Sequence, residues 1–183
     1  MTVHALFFCL RPDPATAVRL SAVSGDIARR FGLRVRPPRT ERLHLTLHHL
    51  GWYDDTTDQA ETMAEVRQLA EDAAAALRHG PVRVDFDQLL SFTRKPRNLP
   101  LVLSGGVCLD GARAMRAALG DRLHAVGLRT DPRFTPHLTL FYDDVAVQPQ
   151  PFIVPGWTAS EFLLLDSLQG QSTHVDLARW PLD

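Results

Sequence analysis

Apolar positions along this chain switch between a strand-like and a helix-like period. VHALFFCL, near the start, reads as a strand. Asp13 and Pro14 then supply an N-cap and a first-turn proline for a helix whose Leu20, Val23, Ile27 and Phe31 recur at helical spacing, with Gly32 placed to close it. Met63, Val66, Leu69, Ala73 and Leu77 predict a second helix from about Asp58 to Arg78, and Met115, Leu119 and Leu123 a third from Asp110 to Gly127. Between these two lie strand-like VRVDFDQLL and LPLVLSG, separated by the basic, proline-broken FTRKPRN. EFLLLDS and THVDLARW, joined by LQGQ, predict a closing hairpin. No linker divides the chain, so residues 1–183 are expected to form a single α+β domain.

Two strand-like stretches, near 42–50 and 135–142, carry the same tetrapeptide: RLHLTLHHLG and FTPHLTLFYD. Their approaches repeat as well, FGLRVRPPRTERLHLTL against VGLRTDPRFTPHLTL. Gly32 precedes His44 by 12 residues and Gly127 precedes His137 by 10. This predicts a duplicated helix, turn and strand unit.

Strand side chains alternate faces, so His44 and Thr46 point one way while Leu45 and Leu47 point to the core; His137 and Thr139 do the same. Related by a pseudo-two-fold, the two polar faces would meet across a cleft. Two imidazoles suit proton transfer at both ends of one displacement, one neutral to accept a proton and the other charged to donate one. Two threonine hydroxyls suit the non-bridging oxygens of a phosphodiester. The plain alternative, an amphipathic strand with His and Thr in solvent, serves for either motif alone and poorly for a matched pair.

By the same alternation His48 falls on the face of His44 and Thr46, and His49 on the other. His48 is therefore expected at the edge of the cleft. A His44/His48 metal pair is not expected, because the pattern is strand-like and HExxH is absent. Neither a metal nor a cofactor is called for by any motif. His4, His79, His124 and His174 carry no assignable role. Arg94, Lys95 and Arg97 form the densest basic loop; it either covers an RNA end or is simply solvated.

Composition narrows the classes. The net charge of −1 argues against a protein that wraps long nucleic acid and leaves room for a small phosphate ligand or an RNA end. No apolar run is long enough for a membrane span, and the first residues lack the basic region and cleavage site of a signal peptide, so no membrane partner and a cytoplasmic location are expected. Cys9 and Cys108 stand alone in apolar stretches and read as reduced thiols. A monomer is expected.

The spaced pair of HxT motifs, about 90 residues apart, with the opening LFFCLRPDPAT and the terminal EFLLLDSLQGQSTHVDLARWPL, resembles the RNA 2′,3′-cyclic phosphodiesterases of the 2H phosphoesterase superfamily, often labelled 2′-5′ RNA ligases. The resemblance spans nearly the whole chain. It implies a bilobal α+β fold with two pseudo-two-fold-related lobes of antiparallel sheet and helix around a central cleft. The activity it implies is metal-independent hydrolysis of 2′,3′-cyclic phosphate ends of RNA or cyclic nucleotides to 2′-phosphomonoesters, with 2′-5′ ligation in some members. His44, Thr46, His137 and Thr139 become the catalytic set, with His137 as base and His44 as acid. Phe8 matches an aromatic that faces the nucleobase. Tyr142 stands where many members have a substrate-holding arginine; it can stack on a base but offers no cationic fork. That departure keeps open a phosphodiesterase for another small substrate, such as ADP-ribose cyclic phosphate. A non-catalytic RNA-end binder is the third reading, though pure binding has no need of two proton-transfer groups.

Overall fold

The computed structural model describes residues 2–171 and 173–183. Among these residues eight strands form one antiparallel sheet: β1 (Val3–Leu10), β2 (Leu45–Asp54), β3 (Val82–Ser91), β4 (Leu99–Ser104), β5 (His137–Asp143), β6 (Gln150–Ala159), β7 (Glu161–Leu168) and β8 (Thr173–Pro181). Their order across the sheet is β6-β3-β4-β5-β2-β1-β7-β8. Reading outward from the centre, β2-β1-β7-β8 mirrors β5-β4-β3-β6. Three helices, α1 (Pro14–Arg30), α2 (Thr57–Ala75) and α3 (Asp110–Ala125), bury Leu20 and Ile27, Ala70 and Ala73, and Met115 and Leu119 in one core with Phe8, Leu45, Leu103 and Leu138 of the sheet. Removing these apolar surfaces from water is the main force holding helices on sheet.

The duplication holds in structural detail. Asp13 caps α1, its carboxylate accepting from the Thr16 amide at 2.9 Å, with Pro14 inside the first turn. Both α1 and α3 end at a glycine of positive φ, Gly32 at 64° and Gly127 at 84°. In each case the next leucine reaches back to close the helix end, Leu33 to the Ala28 carbonyl and Leu128 to the Leu123 carbonyl, both at 2.9 Å. Each chain then turns into its motif strand.

β6 is the strand that the hydrophobic pattern does not predict. Its QPQPFIVPGW stretch is too rich in proline for an interior strand, yet β6 lies at the sheet edge, where a missing amide donor costs little. The closing hairpin β7–β8 is present, with Gly170 at φ 77° in its turn. The second helix stops three residues short of the expected Arg78.

Candidate active site

β2 and β5 meet at the centre of the sheet through one opposed pair, Leu45 and Leu138. Both leucines are fully buried in the helix-covered core. Extending that register by one residue faces His44 with Thr139 and Thr46 with His137, all on the opposite face. The two imidazoles therefore stand on a diagonal, where residues of an antiparallel pair are about 7–8 Å apart and their Cβ atoms somewhat less. All four side chains line one cavity of about 630 Å³. The arrangement is a two-by-two array of histidine and threonine open to a ligand.

Each imidazole is anchored the same way. His44 Nδ1 lies 2.7 Å from the Arg42 carbonyl, and His137 Nδ1 lies 2.7 Å from the Thr135 carbonyl. A carbonyl only accepts, so Nδ1 carries the hydrogen in both rings and Nε2 is left to exchange protons. Phe7 packs 4.9 Å from the His44 ring and Phe92 packs 4.9 Å, edge-on, from His137.

Protonation is disfavoured at both rings, unequally. Burial pushes His44 down to about 3, helped by the nearby His174, Arg11 and His137. Burial also lowers His137, but no cationic neighbour is among the causes there. The electrostatic asymmetry has a visible source in β8. His174 stands with its ring 5.1 Å from that of His44, edge to face, and is itself lowered to about 4 by burial, Arg42 and Arg11. Nothing in the sequence pattern singles out His174, because the contact spans strands that are distant in sequence.

Two β-bulges decide which residues beyond the motifs reach the cleft. Opposite β1, Cys9 pairs with Thr46 but Phe8 pairs with His48, leaving Leu47 as the extra residue. Opposite β4, Val102 pairs with Thr139 but Leu101 pairs with Phe141, leaving Leu140. Both bulges fall on the last leucine of HLTL. Past each bulge the alternation is reversed, which corrects two expectations. His48 is not on the His44 face: it is 3% exposed, its Nε2 donates to the Arg116 carbonyl at 2.8 Å and its ring lies against Gly120 of α3, so that it borders only the larger of the two cavities and not the one holding His44. His49 takes the cleft-facing place instead, opposite Phe7 and beside Trp52. In the second unit the same inversion buries Phe141 and turns Tyr142, 53% exposed, to the cleft.

Phe8 is also displaced from its expected role. It is fully buried and packs against Phe162 and Trp180, since β1 alternates Phe8 into the helix-covered core and Phe7 onto the other face. Phe7 is thus the aromatic beside the array. His4 has a structural place at the start of β1, bonded to Asp166 at 2.6 Å and Asp55 at 3.1 Å. Arg94 and Lys95 line a second cavity of about 810 Å³, which shares Thr46, His137 and Tyr142 with the first and is walled by Phe92 and Phe134. Among the described residues no cluster of three or more His, Cys, Asp or Glu is placed to hold a metal, and no helix is long and apolar enough to cross a membrane.

A pseudo-two-fold antiparallel sheet with paired HxT strands at its centre defines the fold of the 2H phosphoesterases. Residues 12–163 match the model of the 2′-5′ RNA ligase superfamily, and the chain belongs to that family. Solved structures with the same fold include E. coli LigT in its apo form, at 22% identity and TM-score 0.74 over 100% of this chain and 99% of that one. E. coli LigT complexed with 3′-AMP matches at 20% identity and TM-score 0.69 over the same shares. TT0787 of Thermus thermophilus matches at 23% identity and TM-score 0.63, covering 97% of each chain. A search of the curated proteins gives no match.

Proposed function

We propose that this protein hydrolyses 2′,3′-cyclic phosphate ends of RNA or of cyclic nucleotides to 2′-phosphomonoesters without a metal. The observation that carries the reading is the array itself: two imidazoles with matched Nδ1 anchors and two threonines, lining one cavity. Water attacks phosphorus, one histidine takes its proton, the P–O3′ bond breaks and the other histidine protonates O3′. Thr46 and Thr139 donate to the non-bridging oxygens as charge builds there. The charge environment supports His44 as base and His137 as acid, the reverse of the assignment that resemblance implies. His44 is flanked by His174 and Arg11 and so resists protonation more than His137 does. E. coli LigT has been crystallised with 3′-AMP and with ATP, which agrees with a nucleotide-sized site.

The test is turnover of 2′,3′-cyclic AMP in EDTA by wild type, His44→Ala and His137→Ala, with the product's phosphate position identified. We expect a 2′-phosphate from wild type and a loss on the order of 10²-fold or more in either variant. Absence of turnover by wild type, or variants as active as wild type, sinks the reading.

A further inference from the structure

The segment that leads into the first motif, RVRPPRTER, carries four arginines, at positions 34, 36, 39 and 42, and the last three recur at a fixed interval. Their spacing of three has a geometric meaning here. Pro37 and Pro38 favour a polyproline conformation, Arg39 adopts φ −63° and ψ 140°, and Thr40–Arg42 form a 3₁₀ turn. Polyproline and 3₁₀ backbones both repeat every three residues, so side chains at i, i+3 and i+6 project from one edge.

That edge is fixed and faces the array. Ser21 of α1 donates to the Pro38 carbonyl at 3.0 Å, and Pro37 sits against Gly25, where a Cβ would come within 3.4 Å of its ring. Arg36, Arg39 and Arg42 all line the 630 Å³ cavity that holds the two histidines and two threonines. Among the described residues no carboxylate lines it. Among the described residues only Arg39 has an acidic neighbour, Glu41 at 4.0 Å, while Arg36 and Arg42 have no ion-pair partner. The larger cavity differs: it is walled by Phe92 and Phe134, the Asp131 carboxylate lines it, and Arg133 is engaged with that carboxylate and Arg116 with the Leu47 and Asp131 carbonyls, which leaves Arg94 and Lys95 as its cations without an ion pair among the described residues.

We propose that Arg36, Arg39 and Arg42 form a subsite for a second phosphate of the substrate, beyond the one that is cleaved. This rests on the phosphodiesterase reading above. Guanidinium forks aligned on one edge, of which only that of Arg39 has an acidic partner, at 4.0 Å, match the paired oxygens of a phosphate. The aromatic-walled cavity on the other side of the array is left for a base. A second phosphate comes either from the next phosphodiester of an RNA chain or from the pyrophosphate of a nucleotide such as ADP-ribose cyclic phosphate. The protein therefore prefers either of these to a cyclic mononucleotide.

The experiment compares kcat/KM for a trinucleotide ending in 2′,3′-cyclic phosphate, ADP-ribose 1″,2″-cyclic phosphate and 2′,3′-cyclic AMP, in wild type and in Arg36→Ala/Arg39→Ala. Arg42 is left in place because its guanidinium acts on His174, the neighbour of His44, and its loss would disturb the array itself. We expect wild type to favour one of the two larger substrates, and the double variant to lose about tenfold or more of that preference. The favoured substrate identifies the source of the phosphate. A preference ratio that the substitutions leave unchanged overturns the subsite. A binding arm keeps this independent of catalysis: fluorescence anisotropy with a labelled 3′-phosphorylated trinucleotide and with ADP-ribose. For the trinucleotide, each lost phosphate contact is expected to flatten the plot of log K against log salt by about 0.7. Wild-type binding of both probes that the variant reproduces in strength and salt dependence counts against the subsite, even if no substrate is turned over.

Discussion

At the scale of single residues, the proton inventory of the site is set by burial and by His174. In the free protein both motif histidines lie below the ordinary value of 6.5, His44 furthest. The competent state, one ring neutral and one protonated, is most populated between the two macroscopic values, so kcat/KM should peak on the acidic side of 6.5. A bound phosphate monoanion stabilises imidazolium, so the kcat profile should sit at higher pH than that of kcat/KM. Steady-state rates over about pH 4–8 check both statements. A basic limb of kcat/KM well above 6.5 contradicts the first. His174→Phe keeps the bulk that buries His44 but removes the titratable neighbour. If His44 is the base, its limb, where activity is lost on acidification, should move to higher pH in that variant; no movement would return the base to His137.

At the scale of elements, the strand alternation legible in the sequence holds as far as the bulges and fails beyond them. HLTL is enough to place His44, Thr46, His137 and Thr139 on one face because each motif ends at its bulge. The bulges at Leu47 and Leu140 leave no mark in hydrophobic alternation, since a leucine is as natural in a bulge as in a ladder. Alternation alone therefore assigns His48 and His49 to each other's faces, and resemblance gives Phe8 the place that Phe7 occupies. Helices are easier, because capping and glycine termination are local signals, whereas β6 is hidden by prolines that only its edge position permits. The exchanged histidines make a testable contrast. His48→Leu removes a side-chain hydrogen bond to the Arg116 carbonyl, at a cost of about 0.5–1.5 kcal/mol in urea unfolding, while leaving the rate on 2′,3′-cyclic AMP within a few-fold of wild type. His49→Ala, at a surface position, should leave stability within about 0.5 kcal/mol and act instead through substrate affinity. The opposite pattern would mean that the bulge is absent.

At the scale of the whole molecule, the two halves of the sheet share a helix-covered core but are joined in the sheet by very little. Eight opposed pairs link β1 to β2, against the one pair that links β2 to β5. The central seam is thus the least hydrogen-bonded line in the sheet, and it runs beneath the array. A phosphate held between His44 and His137 spans that line and adds bonds to both halves at once. Such a ligand binds the folded protein and not the unfolded chain, so it should stabilise by about 2.7 kcal/mol at a concentration one hundred times its Kd. For a chain of this length that is a rise in Tm of roughly 5–10 °C. The product analogue 2′-AMP is the probe, read by thermal unfolding with hydrogen exchange alongside. Exchange should slow at the amides of residues 45–46 and 138–139, where the halves meet, and less so at the outer strands β6 and β8. In His44→Ala/His137→Ala both effects should largely disappear, because of the array only Thr46 and Thr139 are left to hold the phosphate. A Tm shift that survives in the double variant would place the nucleotide away from the seam, and the array would then have no claim to be the binding site.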